Sequence, residues 1–202
     1  MIRLDRDGGL WTVTLDRPDK ANALTGAMLG DLAGIASDAA GKAQALILTG
    51  TGKVFSAGAD LDAARAGLAT DPVWEQVSGA IAALPCLTIA ALNGTLAGGA
   101  FGMALACDLR IAVPSAKFFY PVMKLGFLPQ PSDPVRLAAL IGPARAKMIL
   151  MAGQKITADT ALAYGLVEEL AEPDALLPRA RELATDALAA TPAHAAAIKG
   201  MI

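Results

Sequence analysis

The sequence predicts an α/β fold built on a mostly parallel sheet. Three observations carry that prediction. Two short, largely apolar runs stand at 45–49 and 87–92; each is followed at once by a glycine-bearing loop; and a helical pattern comes after each loop. A strand covered on both faces reads as such a run, and strands alternating with helices build βαβ units.

Taken in order, Leu10-Trp11-Thr12-Val13-Thr14-Leu15 alternates as a strand, and Ile2–Leu4 is placed to pair with it as a hairpin across Gly8-Gly9. Asp16 to Lys20 has turn chemistry. Thr25 is an N-cap for a helix to about Ala39. After the strand at Ala45–Thr49 comes a loop over Gly50–Gly58, and Asp60 or Leu61 begins a helix, with Asp60 suited to cap it. A helix from about Pro72 stops before Pro85, and the second buried strand runs Leu87–Leu92. Asn93-Gly94 is a turn, and Gly98-Gly99 opens an apolar helix through Cys107. Leu109–Val113 and Lys117–Tyr120 are two more strands. From Pro134 the pattern is helical, over 134–141, 144–152, 158–164 and 175–190, and the last residues to Ile202 look like the start of another helix. No linker or repeat divides the 202 residues, so we expect one domain over 1–202, helical from about 170.

Composition narrows the function. Hydrophobic residues make up 54% and aromatics only 4%, so the core is built from Ala, Leu, Ile, Val and Met. Mean hydropathy is +0.48, yet no window holds the roughly 18 apolar residues of a membrane span. The apolar excess then points to subunit contacts. The first residues carry acids and no apolar stretch, unlike a signal peptide, which suits a cytoplasmic protein. A net charge of −2 argues against nucleic acid as a partner. Cys86 and Cys107 stand singly in apolar surroundings and read as buried free thiols, a disulfide between them being the alternative. One histidine, His194, without Cys/His spacing argues against a metal site.

The two glycine loops hold the chemistry. Phe55-Ser56-Ala57-Gly58-Ala59-Asp60-Leu61 comes after the first buried strand, and Asn93-Gly94-Thr95-Leu96-Ala97-Gly98-Gly99 after the second. Loops at the carboxyl ends of parallel strands form the ligand crevice. Glycine there lets the backbone come close to a ligand, and amides at a helix start lack partners. Two such loops facing one oxygen would make an oxyanion hole. Spacing alone favours the plainer reading, two tight turns. A dinucleotide site is disfavoured, since neither loop contains G-x-G-x-x-G.

At these residues the chain resembles the crotonase superfamily, the enoyl-CoA hydratases and isomerases. Leu15-Asp16-Arg17-Pro18 through Ala21-Asn22-Ala23-Leu24 is similar to its L-x-R-P-x-x-x-N-A-L signature, and Phe55–Leu61 to its F-x-A-G-x-D-L loop. Ala90–Gly94, Gly98-Gly99 and Cys107-Asp108 resemble its A-x-x-N-G-x-x-x-G-G…C-D segment, and 153–167 its G-x-x-x-x-A…A-x-x-x-G-L-V stretch. The resemblance implies stacked ββα units, assembly as a trimer or a dimer of trimers, and an acyl-CoA substrate with no cofactor beyond its coenzyme A. It implies oxyanion-hole amides at Ala59 and Gly99. Arg17, Lys20 and Ala21 fall where members contact the CoA nucleotide, and Ala57, Gly58, Asp60 and Leu61 where they line the thioester and pantetheine. For Arg17 and Lys20 a solvated turn is the competing reading.

Two departures stand out. The resemblance puts a glutamate three residues beyond Gly99 and another after Pro121, where this chain has Gly102 and Val122; neither transfers a proton. Members also continue for several helical turns beyond Lys199. Three polar residues offer themselves instead, Asp133, Tyr120 and Asp60, of which Asp60, next to Ala59, reads better as the cap of the following helix. Asp133 reads either as an acid/base or as the N-cap of the helix starting at Pro134. Tyr120 reads either as a proton donor or as a packed tyrosine with its hydroxyl at the surface. The expected function is thioester-enolate stabilisation with a non-glutamate acid/base, against a pseudoenzyme that binds acyl-CoA without turning it over. A serine-peptidase reading lacks its set of partners, since His194 stands alone.

Overall fold

The computed structural model describes residues 1–202. It opens with the expected hairpin: β1 (Ile2–Asp7) and β2 (Leu10–Leu15) pair antiparallel. All six residues of β2 are buried, so it lies inside the sheet with both faces covered, where the alternation suggested one. In α1 (Gly26–Ala39) the Thr25 side chain accepts from the Met28 amide, a cap that satisfies one of the first free donors.

Three successive units then share one plan: a long strand, a short strand in a second sheet, a helix. They are β3 (Ala45–Gly50), β4 (Val54–Ser56) with α2 (Leu61–Arg65) and α3 (Val73–Ala82); β5 (Leu87–Leu92), β6 (Thr95–Ala97) with α4 (Phe101–Ala106); and β7 (Leu109–Ala112), β8 (Lys117–Phe119) with α5 (Val122–Leu125). A 3-10 turn at Gly98–Ala100 leads into α4. The remainder is α6 (Asp133–Ile141), α7 (Pro143–Leu150), β9 (Ile156–Thr157), α8 (Ala158–Tyr164), β10 (Glu169–Leu170), α9 (Leu176–Leu183), α10 (Thr185–Ala189) and α11 (Pro192–Lys199).

The large sheet has the order β1-β2-β3-β5-β7-β10 and the small one β4-β6-β8-β9. Only β1 with β2 and β8 with β9 pair antiparallel. This is the mostly parallel ββα architecture expected. Sequence periodicity missed β4, β6, β9, β10 and α5, which are two to four residues long and too short to show a period. The helix expected over 175–190 is two helices meeting at Ala184.

The small sheet positions the site. Because β4, β6 and β8 are parallel neighbours, their carboxyl ends share one edge. The residues that leave these three strands therefore meet there: 57–59 from β4, 98–99 from β6 and Tyr120 from β8.

One continuous core of 53 buried side chains supports both sheets. Cys86 and Cys107 are buried free thiols, and burial pushes the Cys107 thiol up to about 12, which makes it a poor nucleophile. The sequence reading overlooked Arg110, which is 3% exposed. Its guanidinium donates to the carbonyls of Leu166, Cys107 and Asp108 at 2.9, 2.7 and 3.2 Å and pairs with Glu168 at 2.6 Å. It thereby ties β10's approach to the end of α4, a helix end that favours a cation. Replacing Arg110 by Met strands these acceptors, and we expect a loss of roughly 3–5 kcal/mol. Thermal denaturation should show a melting temperature lower by roughly 10 °C; a shift within about 3 °C would remove this role from Arg110.

Candidate active site

The loop after β4 is zipped along the segment 21–24. The Ala57 amide donates to the Ala21 carbonyl at 3.0 Å, the Leu24 amide to Gly58 at 2.8 Å, and the Asp60 amide to Leu24 at 2.8 Å. The Gly58 amide donates to Ser56 Oγ at 3.2 Å, and that hydroxyl donates to the Asn22 carbonyl. Asn22 itself is fully buried in left-handed backbone geometry. Its side chain donates to the carbonyls of Thr51 and Val54 and accepts from the Arg17 amide. The amides of 57, 58 and 60 are thus all engaged, and the Ala59 N–H between them donates to nothing in the chain.

The loop after β6 lies against this one, backbone to backbone. Gly58 has φ +90. A Cβ built there would stand 3.0 Å from the Ala97 carbonyl oxygen and 3.5 Å from the Gly99 nitrogen. Gly99 sits in the first turn of the 3-10 segment, where amides have no acceptor within the turn. Behind it lies the Trp74 ring, 3.2 Å from where a Gly99 Cβ would be and fixed by an indole N–H bond to the Leu68 carbonyl at 2.8 Å.

Tyr120 comes directly after β8. Its ring stacks on Phe101 with centroids 5.4 Å apart, and its hydroxyl donates to Asp133 Oδ2 at 3.0 Å. Two expected positions are corrected, the Tyr120 hydroxyl at the surface and Asp133 at the helix cap. Tyr120 is 5% exposed and Asp133 1%, so the hydroxyl is not at the surface. Asp133 is the first residue of α6 and not its cap, because the cap position is Ser132. Burial above all, with the charge of Glu75, pushes the Asp133 carboxyl up to about 7, against the lowering effect of the Tyr120 bond and Arg136. Burial and the Asp133 charge push the Tyr120 hydroxyl far above its usual range.

A cavity of about 300 Å³ joins these pieces. Ala59 and Gly99 form its floor with Ala57 and Gly98, Tyr120 and Gln130 give its polar wall, and thirteen of its eighteen lining residues are apolar, which suits a hydrocarbon chain. Leu61, 75% exposed, is at its edge. Asp60 caps α2 through the amides of Asp62 and Ala63 and pairs with Arg17 at 2.8 Å. The Arg17 guanidinium and the Ala63 amide hold the Asp60 carboxyl below the usual range. Arg17 is therefore a brace between two loops, while Lys20 is exposed on the 3-10 turn Pro18–Lys20. His194 is exposed on α11, away from the cavity lining. The sequence reading missed Glu75 and Ser132, whose contact spans 57 residues and has no local signature.

The enoyl-CoA hydratase/isomerase family model matches residues 5–202. The chain belongs to the enoyl-CoA hydratase/isomerase family. Among its relatives, YngF of Bacillus subtilis, named for the same family, is 42% identical over 181 residues, 85% of this chain and 69% of that protein. A carnitinyl-CoA dehydratase of Salmonella arizonae is 38% identical over 208 residues, covering 98% of this chain and 78% of the relative. The crystal structure of an enoyl-CoA hydratase from Bacillus anthracis superposes with a TM-score of 0.91 at 33% identity, over 98% of this chain and 81% of that one. Within this hydratase/isomerase-family chain, the two positions expected to hold glutamate carry no titratable group. Val122 lines the cavity, and a Cβ at Gly102 would stand 2.9 Å from Asp133 Oδ1. The Asp133 carboxylate fills the space that a side chain at 102 would enter.

Proposed function

We propose that the chain binds an acyl-CoA thioester with its carbonyl oxygen between the N–H groups of Ala59 and Gly99, and exchanges a proton with the acyl chain through Tyr120 and Asp133. The observation that carries this reading is the idle amide at Ala59, set beside Gly99 in an apolar cavity. Two donors aimed at one oxygen favour the enolate that forms when a proton leaves the α carbon. That proton passes to the Tyr120 oxygen as the Tyr120 hydroxyl proton passes to Asp133; the return path reprotonates the chain. The carbon–hydrogen electron pair moves into the enolate, so charge and protons balance.

The CoA end is assigned to the turn at Pro18–Ala21, which exposes Lys20 and contacts Ala57 through the Ala21 carbonyl. Coenzyme A enters as part of the substrate, with no separate cofactor. A homotrimer or a dimer of trimers completes the proposal, supported by the exposed apolar residues Met123, Leu128 and Val135 and checked by light scattering.

The test is calorimetric binding of a short acyl-CoA together with turnover of enoyl and acyl thioesters. We expect saturable binding, and Tyr120→Phe should keep it while lowering turnover roughly 10²–10⁴-fold. No binding by the parent protein would overturn the reading. Binding without product from any thioester would support the alternative, a pseudoenzyme, which the bare positions 102 and 122 favour.

A further inference from the structure

We infer that Glu75 and Gly102 are positioning residues for the Tyr120–Asp133 pair: Gly102 leaves the room the Asp133 carboxylate occupies, and Glu75 fixes the helix turn that delivers it. This inference rests on the acid/base reading of that pair and extends it to two residues that the cavity does not expose to substrate.

The room comes first. Both oxygens of Asp133 lie within 3.5 Å of the position a Cβ would take at Gly102, the nearer at 2.9 Å, and Ser78 Cβ closes the far side at 3.5 Å. A Cβ at 102 would push Oδ1 aside and so turn the carboxylate whose other oxygen, Oδ2, holds the Tyr120 hydroxyl.

Delivery is the second half. Ser132 stands at the cap position of α6 but its side chain caps nothing. Its amide donates to Glu75 Oε2 at 3.2 Å, and its hydroxyl donates to Glu75 Oε1. One carboxylate from α3 thus takes two donors at the start of α6, where a negative charge is favoured. The next residue is Asp133, whose amide is tied to the Gln130 carbonyl at 3.0 Å. With both bonds made, the first turn of α6 has little freedom, and Asp133 points at Gly102 and Tyr120.

Glu75 also acts through its charge. The groups facing Asp133 are Tyr120 from the end of β8, Glu75 from α3 and Arg136 from α6, while α4 presents only Gly102. Glu75 opposes ionisation of Asp133; Arg136 and the Tyr120 hydroxyl favour it. Removing the Glu75 charge should therefore move the Asp133 titration to lower pH.

The experiment tracks the Asp133 carboxyl carbon by NMR through a pH titration in the parent and in Glu75→Gln, with kcat and KM measured for each. We expect a midpoint near 7 in the parent and a lower one in Glu75→Gln, with kcat reduced and KM kept. Gly102→Ala should lower kcat roughly a hundredfold, and should add no further loss in an Asp133→Asn background. An unchanged midpoint in Glu75→Gln, or equal losses from Gly102→Ala in both backgrounds, overturns the inference. Should Glu75→Gln not fold, Ser132→Ala removes one of the two donors and should give a smaller kcat loss at unchanged KM; no loss overturns the inference. If the parent turns over no thioester, the acid/base reading fails by itself, and the carboxyl titration still decides the role of Glu75.

Discussion

Asp133→Asn is expected to abolish most proton exchange while making the protein more stable above pH 7. The two effects have one cause. Asp133 is 1% exposed, with one oxygen bonded to Tyr120 and the other, Oδ1, unpartnered. Burial and the Glu75 charge raise its carboxyl from 3.8 to about 7. Below pH 3.8 the group is protonated in both folded and unfolded chains and titration contributes nothing. Between these two values the unfolded chain ionises while the folded one keeps its proton, so stability falls as pH rises. Above about pH 7 both are ionised and the loss is complete, roughly 4 kcal/mol by linkage. Asparagine keeps an oxygen for the Tyr120 hydroxyl but never ionises, so the variant escapes that decline. Urea unfolding at about pH 5 and about pH 8 should show the stability difference between variant and parent moving in the variant's favour by a few kcal/mol. Turnover should drop roughly 10²–10⁴-fold with binding kept. A stability difference that is the same at both pH values would contradict a buried carboxyl with a raised pKa.

That a residue with this behaviour hides behind a helix-cap pattern shows where sequence reading stops. Thr25 and Asp60 were legible as caps because a cap is made within three residues: their oxygens meet the amides of Met28 and of Asp62 and Ala63. The strand, glycine loop and helix order was legible for the same reason, and it placed Ala59 and Gly99 on one cavity floor. Asp133 before Pro134 looks locally identical to a cap. What moves it inward is tertiary: Phe101 stacks on Tyr120, Gly102 leaves a gap, and Glu75, 57 residues from Ser132, holds the turn. Arg17 behaves likewise, since its pairing with Asp60 spans 43 residues and nothing in a turn sequence announces it. Most of the second sheet was the other loss: β8 was legible as the strand at 117–120, but β4, β6 and β9 were not. Strands of three residues have no measurable period, yet β4, β6 and β8 are the elements that bring the three pieces of the site to one edge.

Gly58→Ala tests that meeting point most severely. The φ of +90 at Gly58 is one that alanine adopts only with strain, about 1–3 kcal/mol. Its Cβ would also stand 3.0 Å from the Ala97 oxygen, 3.4 Å from Gly98 Cα and 3.5 Å from the Gly99 nitrogen. The contact to the Ala97 oxygen is tighter than ordinary and is to a backbone atom, so no rotamer change relieves it, and the loop after β4 must shift by a few tenths of an ångström from the loop after β6. On the proposed reading, the amides of Ala59 and Gly99 would then no longer converge on one oxygen. Losing one such donor lowers kcat roughly 10²–10³-fold, and Gly58→Ala should fall in that range or below it. Gly8→Ala separates strain from displacement: Gly8 has φ +57 and nothing within 4 Å of a Cβ, in a hairpin turn remote from the cavity lining. It should lose the strain alone, about 1–2 kcal/mol, and no turnover per folded molecule. Gly58→Ala that folds and turns over thioester at the parent rate would mean that the two loops need not touch, and the assignment of the oxyanion site to Ala59 and Gly99 would fail with it.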